Sequence, residues 1–121
     1  MTTIKALELK AFVPAKDFAR SKEFYQDLGF EIPWSDERLA YIRLQNVSFL
    51  LQNFYVEEHA RNFQMHLTVA SADDCWKIWM EKKIAEKYGI YLSAPSDKPW
   101  GIRDFEITDP AGVLWRVGHN L

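Results

Sequence analysis

Two acidic residues near the end of the chain are the ones best placed for proton chemistry. Asp104 and Glu106 alternate along a predicted strand, so their carboxylates share one of its faces. General acid–base catalysis uses such a pair when one carboxyl has a raised pKa and lies beside a substrate proton. On an inward face the pair would also attract a cationic ligand. The alternative interpretation is a solvated strand face with no chemical role.

The other reactive side chains do not form a catalytic pattern. His59, His66 and His119 have no helical or strand spacing that joins them, which is typical of structural histidines. Cys75 lies in a predicted helix with no histidine near it in sequence, so we expect a structural thiol rather than a nucleophile. A single cysteine allows no internal disulfide and does not imply an oxidising compartment.

The composition is typical of a soluble protein with one domain. The chain has 121 residues, of which 48% are hydrophobic and 26% are charged. Its net charge of −2 and its lack of a long basic run argue against nucleic acid as a partner, and no apolar run approaches membrane length. We therefore expect a cytoplasmic protein. The eight Phe, five Trp and five Tyr predict an aromatic core, with some rings lining a pocket for a flat ligand.

The first half of the chain is predicted to fold in the order βαβββ. Residues 4–13 alternate apolar and other side chains, as a half-buried strand does, and Pro14 ends that strand. Asp17 is a helix N-cap, and Gly29 is the residue at which the helix ends. The strands that follow are residues 30–34, 39–44 and 47–54.

The second half repeats this order after a polar linker at residues 55–62. A strand at residues 63–69 precedes a helix that Ser71 and Asp74 open as a capping box and that Gly89 ends. A shift of 54 positions places Asp17 on Ser71, both of them N-caps. The strands that complete this half are residues 90–93 and a closing hairpin, which turns at Asp109-Pro110-Ala111-Gly112 into residues 113–118.

Three motifs in this order resemble the vicinal oxygen chelate superfamily, which includes glyoxalase I, extradiol dioxygenases, fosfomycin-resistance enzymes and bleomycin resistance proteins. The resemblance covers nearly the whole chain. It implies an α+β fold in which two βαβββ modules, at about residues 4–54 and 63–119, form a curved mixed sheet around a cavity. The motifs are Val13-Pro14-Ala15-Lys16-Asp17-Phe18, Phe24-Tyr25-Gln26-Asp27-Leu28-Gly29-Phe30 and Asp109-Pro110-Ala111-Gly112.

The resemblance also identifies where a metal would bind in metal-dependent members. The equivalent positions in this chain hold Lys10, Gln52, Gln64 and Arg116. Cationic side chains are not ordinary ligands of a divalent ion, and the set contains no carboxylate to balance its charge. His66, two residues after Gln64 on the same strand face, becomes a candidate ligand if the register is shifted by two. We expect no metal site and no cofactor.

A metal-free cavity would then be lined by side chains that share these strand faces. Tyr41 falls where bleomycin resistance proteins have a pocket aromatic, and Trp34 lies at a strand end near the expected cavity mouth. The predicted ligand-binding residues are Lys10, Tyr41, Arg43, Gln52, Phe54, Gln64, His66, Trp100 and Arg116.

The resemblance is nearest to the bleomycin resistance type, which implies a metal-independent small-molecule-binding protein that forms a homodimer and sequesters an antibiotic. The alternative is a lyase or isomerase of the same superfamily, acting on a small anionic metabolite held by Lys10 and Arg116. A third hypothesis is a partner-binding protein whose cavity is filled by side chains. Whether the two modules pair within one chain or between subunits is left open by the sequence.

Overall fold

A computed structural model describes residues 2–121, and within them the chain forms eight strands and four helices. The strands are β1 (Phe12–Pro14), β2 (Glu31–Ser35), β3 (Leu39–Leu44), β4 (Val47–Gln52), β5 (Gln64–Thr68), β6 (Ser96–Asp97), β7 (Ile102–Thr108) and β8 (Leu114–Asn120). The helices are α1 (Phe18–Leu28), α2 (Glu57–Asn62), α3 (Ala72–Glu81) and α4 (Ile84–Tyr88). No helix among these residues is both long enough and apolar enough to cross a membrane.

Local signals set the ends of the two long helices. The Asp17 side chain accepts a hydrogen bond from the Arg20 backbone N–H at 3.1 Å, and the Ser71 hydroxyl accepts one from the Asp74 N–H at the same distance. Gly29 ends α1 with a φ of 112°, a left-handed conformation that glycine adopts without strain. The predicted helix starts and the end of α1 are therefore confirmed.

The strands form two four-stranded mixed sheets with the same plan. The orders are β1-β4-β3-β2 in sheet 1 and β5-β8-β7-β6 in sheet 2. In sheet 1, β1 pairs in parallel with β4, and in sheet 2, β5 pairs in parallel with β8. All other strand pairs are antiparallel. This confirms the α+β fold of two βαβββ modules. Within the described chain, β1 and β5 are both edge strands.

A cluster of aromatic rings joins the two modules in the core. The Tyr25 ring of α1 lies 5.0 Å from Phe49 of β4 and 5.7 Å from Trp115 of β8. The Tyr25 hydroxyl donates a 2.6 Å hydrogen bond to Asp109 and accepts one of 2.9 Å from the Trp115 indole N–H. Aromatic packing and paired polar atoms thus tie module one to module two.

The first predicted strand is wrong over most of its length. Regular pairing begins only at Phe12, and residues 4–10, which we call the arm, form no strand. Ile4, Leu7 and Leu9 are 96%, 90% and 96% exposed. The arm does contain alternating apolar residues, but no strand among residues 2–121 pairs with it, so its large apolar side chains are exposed.

The linker predicted at residues 55–62 contains the short helix α2. Two predicted elements of the second half need correction. The helix predicted to run to Gly89 is broken at Lys83, whose φ of 55° separates α3 from α4. The strand predicted at residues 90–93 contributes only a bridge from Leu92 to Ile107, and the paired edge strand is β6. Pairing with β7, rather than the local β-propensity of residues 90–93, therefore determines which segment forms the edge strand of sheet 2.

Candidate functional site

Helices cover one face of each sheet, and we call the other side the open face. On β3 the alternation is clear, because Ala40 and Ile42 are fully buried while Tyr41 and Arg43 are partly exposed. The open face of sheet 1 therefore has Tyr41 and Arg43 on β3, Leu50 and Gln52 on β4, and Phe12 on β1. Trp34 of β2 pairs with Tyr41 in the strand register, so it also lies on the open face of sheet 1.

A cleft of about 500 Å³ lies between the arm and this open face. Tyr41 and Arg43 line it, together with Leu7 and Leu9 of the arm. The Lys10 ammonium lies 5.3 Å from the Tyr41 ring centroid and forms an ion pair with Glu8. The volume is within the range of small-molecule sites.

The open face of sheet 2 has a connected set of polar side chains. His66, Arg116 and Glu106 lie side by side across β5, β8 and β7. The Arg116 guanidinium lies 3.2 Å from the Glu106 carboxylate and donates a 3.4 Å hydrogen bond to the Gln64 amide oxygen. The positive charge at Arg116 is thus balanced by a neighbouring carboxylate.

Asp104 has a different environment from Glu106, although they share this face. Its carboxylate is 1% exposed and lies 2.7 Å from the Lys98 ammonium. Gly118 lies opposite Asp104 across the strand pair, and a Cβ at Gly118 would approach the Asp104 Cβ to 2.6 Å. The solvated-face interpretation is therefore wrong for Asp104. Each carboxylate of the pair is bound to its own cation, so the two do not form an acid–base pair.

A second cleft, of about 320 Å³, lies between β4 and β5. Its lining includes His66 of module two and Phe49 of module one. Ser48 lines both clefts, so they adjoin at the start of β4.

The nine predicted ligand-binding residues do not meet in one cleft of a single chain. Tyr41 and Arg43 line the larger cleft and His66 lines the smaller one. Phe54 lies beyond the end of β4 and is 60% exposed, and Trp100 lies in the turn between β6 and β7 and is 63% exposed. The remaining residues, Lys10, Gln52, Gln64 and Arg116, lie on or beside the open faces outside both linings.

Sequence reasoning missed three side chains that matter here. Phe12 and Leu50 lie on the open face of sheet 1, and their alternation with the buried Val13 and Leu51 is the signal that points to them. Lys98, the partner of Asp104, has no comparable signal, because it lies just beyond the short strand β6 and reaches across the sheet edge.

The side chains present do not fit a metal ion. Over residues 2–121, no three His, Cys, Asp or Glu side chains lie together in a way that could hold one. At the positions that the superfamily resemblance identifies, Arg116 is bound to Glu106 and Gln64 accepts from Arg116. Burial raises the pKa of the Cys75 thiol to about 11, which keeps it protonated and a poor ligand.

The chain matches one family model over residues 8–117, described as the Glyoxalase/Bleomycin resistance protein/Dioxygenase superfamily. A search of curated proteins by sequence finds no match.

Similar solved structures include a bleomycin-binding protein from Streptomyces verticillus complexed with copper(II)-bleomycin, which is 22% identical with a TM-score of 0.81. The alignment covers 98% of this chain and 100% of that one. An antibiotic binding protein from Streptomyces sp. CB03234 is 18% identical with a TM-score of 0.79, over 99% and 100% of the two chains. A lactoylglutathione lyase from Agrobacterium tumefaciens is 18% identical with a TM-score of 0.68, over 97% and 95%. At these identities the likeness shows a shared fold.

Proposed function

This chain belongs to the glyoxalase/bleomycin resistance protein/dioxygenase superfamily, and from that premise we propose that it is a metal-independent small-molecule-binding protein of the bleomycin resistance type. The observation that carries the proposal is the cleft of about 500 Å³ on the open face of sheet 1, beside an aromatic side chain and a basic group that is already paired. Such a site offers contact area and orientation, and the residues that line it include no histidine or cysteine.

The ligand class we propose is an antibiotic. Two solved structures with this fold are described as proteins that bind bleomycin or an antibiotic, and both align over nearly all of this chain. The predicted residues Lys10, Tyr41, Arg43, Gln52, Phe54, Gln64, His66, Trp100 and Arg116 remain our proposal for the residues that contact it.

A lyase or isomerase acting on a small anionic metabolite has less support. That function needs free cations on the open faces to bind the anion. Instead, Arg116 lies 3.2 Å from Glu106, and Lys10 forms an ion pair with Glu8. An anion would have to displace a carboxylate at each position.

We further propose a cytoplasmic homodimer in which each chain is one domain of two modules. The apolar arm side chains and the free edges of β1 and β5 support pairing with a second copy, because exposed apolar segments and unpaired edges favour association.

The test is a tryptophan-fluorescence titration of chelator-treated protein with metal-free bleomycin. Trp34 and Trp100 are 50% and 63% exposed and will report a ligand near either open face. We expect saturable quenching at about one drug per chain, unchanged by added Zn²⁺. A flat titration would remove the antibiotic assignment, and binding that requires added metal would overturn metal independence.

A further inference from the structure

The turn that joins β3 to β4 holds one residue in a backbone conformation that its side chain disfavours. Leu44 and Val47 are the last paired residues of the two strands, so the turn consists of Gln45 and Asn46 alone. Gln45 has a φ of 52°, and among residues 2–121 Lys83 is the other non-glycine residue with a positive φ. In this region the Cβ lies too close to the following carbonyl oxygen, so Gln45 is strained.

Glycine would fit the first position of this turn without strain. Two-residue hairpin turns with a positive φ at their first central residue are usually built with glycine or asparagine there. This chain has a long amide side chain at that position and its asparagine one residue later. Strained residues of this kind are concentrated at ligand sites, where they are held for a purpose other than stability.

The strained residue lies at the edge of the proposed ligand site. Gln45 and Asn46 line the larger cleft, of about 500 Å³, together with Tyr41 and Arg43 of β3. Ser48, at the start of β4, also lines it. The turn end of the larger cleft thus has three uncharged side chains that can both donate and accept hydrogen bonds. Gln45 is exposed, so its amide is accessible to a molecule in the cleft.

The same turn also borders a third cleft, of about 420 Å³. Ile78 of α3 lines the third cleft and does not line the larger one. Ser48 lines the larger cleft and does not line the third, so the group of three uncharged polar side chains is complete only in the larger cleft.

Resting on the proposed binding function, we propose that Gln45 is a specificity-determining residue of the larger cleft. Its side-chain amide hydrogen-bonds a neutral amide or hydroxyl group of the ligand, beside Asn46 and Ser48. The strain in the turn is present without ligand, so substitutions at position 45 affect stability and binding in different ways.

Two substitutions separate the amide from the strain. Gln45→Ala removes the amide but keeps a Cβ, so the urea midpoint of the ligand-free protein should stay nearly unchanged. Its affinity for metal-free bleomycin should fall by about threefold to tenfold, the usual effect of one lost neutral hydrogen bond. Gln45→Gly removes both the amide and the strain, so the urea midpoint should rise while the affinity falls by a similar factor.

Lys83→Gly is the matched control. Lys83 has a φ of 55° and lines none of the three clefts. This substitution should also raise the urea midpoint, but it should leave the affinity for metal-free bleomycin unchanged. Ile78→Ser tests the third cleft and should likewise leave the affinity unchanged.

Three results would overturn the proposal. Unchanged affinity in Gln45→Ala would show that the amide does not contact the ligand. A urea midpoint that does not rise in Gln45→Gly would show that the turn is not strained. A loss of affinity in Ile78→Ser as large as that in Gln45→Ala would place the ligand in the third cleft.

The unsubstituted chain separates this role of Gln45 from the function on which it rests. If the unsubstituted chain does not bind metal-free bleomycin, the proposed antibiotic binding is wrong and the role of Gln45 falls with it. If the unsubstituted chain and Gln45→Ala bind equally well, antibiotic binding stands and only the role of Gln45 is wrong.

Discussion

Asp109 is a buried carboxyl whose protonation affects the stability of the fold. Its carboxylate accepts the Tyr25 hydroxyl at 2.6 Å and two turn N–H groups, from Ala111 and Val113, at 2.9 Å. Burial raises the pKa of Asp109 to about 6, because the loss of solvation outweighs these hydrogen bonds, which favour the ionised form. The same burial and the nearby Asp109 charge raise the pKa of Tyr25 well above its usual value.

We expect this carboxyl to make the protein more stable as the pH falls from 7 to 5. Since the pKa of Asp109 is raised in the folded state, the folded protein binds more protons than the unfolded chain across this window. The gain should be about 1 kcal/mol in the free energy of unfolding. Urea unfolding of the protein and of Asp109→Asn at both pH values measures it.

The difference in stability between the two proteins should grow in favour of the unsubstituted chain at pH 5. A difference that is the same at both pH values would show that Asp109 does not titrate in this window.

Position 118 requires a glycine because the neighbouring strand β7 lies too close to leave room for a side chain. Its backbone conformation does not require one. A Cβ at this position would lie 2.5 Å from the Arg103 carbonyl oxygen and 2.6 Å from the Asp104 Cβ. We expect Gly118→Ala to lower the free energy of unfolding by about 1–3 kcal/mol, because these atoms belong to a paired strand and cannot move aside freely. Asn120→Ala, at the exposed end of β8, is the control and should change stability by less than about 0.5 kcal/mol.

At the scale of single elements, the end of α1 depends on one glycine. Gly29 has a φ of 112°, and a Cβ added there would have no atom within 4 Å, so a side chain would meet backbone strain but no clash. We expect Gly29→Ala to cost about 1 kcal/mol in thermal or urea unfolding. Asn tolerates the left-handed region better, so Gly29→Asn should recover part of the loss. Equal losses for both variants would point to a cause other than backbone conformation.

Elements whose signals are local could be predicted from the sequence. The Asp17 and Ser71 caps, the Gly29 stop and the Asp109 turn each act within a few residues, and all are present in the structure. The break at Lys83 and the position of β6 depend instead on packing and on pairing along β7. Those interactions come from distant parts of the chain, and the local pattern does not contain them.

The candidate site was less predictable than the elements that form it. Alternation placed Tyr41, Arg43, Gln52 and Arg116 on the open faces, because side chains on a strand alternate strictly. Their ion-pair partners were not predictable, since the partners of Arg116 and Arg43 come from neighbouring strands whose register only the folded sheet fixes.

At the scale of the whole molecule, the contacts within a single chain do not account for the exposed apolar side chains of the arm. Leu7 and Leu9 are at least 90% exposed, and burying each would contribute about 1.5–3 kcal/mol. We expect Leu7→Ser combined with Leu9→Ser to weaken dimer formation by at least about a hundredfold, as measured by analytical ultracentrifugation.

The control for that experiment is Met80→Ser, which removes a 43% exposed apolar side chain of α3 that does not line the cleft beside the arm. It should leave the sedimentation behaviour unchanged. A dimer that is equally stable in all three proteins would remove the arm from the interface.

The aromatic cluster around Tyr25 has a consequence for how the chain acquires its structure during synthesis. The Tyr25 hydroxyl bonds to Asp109, 84 positions later, and to Trp115, 90 positions later. Until the chain has been made as far as Asp109 and Trp115, Tyr25 can pack only within module one, against Phe30 and Phe49, and lacks both hydrogen bonds to module two. Contacts this distant in sequence also slow folding, because a long loop must close before they form. The complete set of Tyr25 contacts therefore forms only after almost the whole chain has been synthesised.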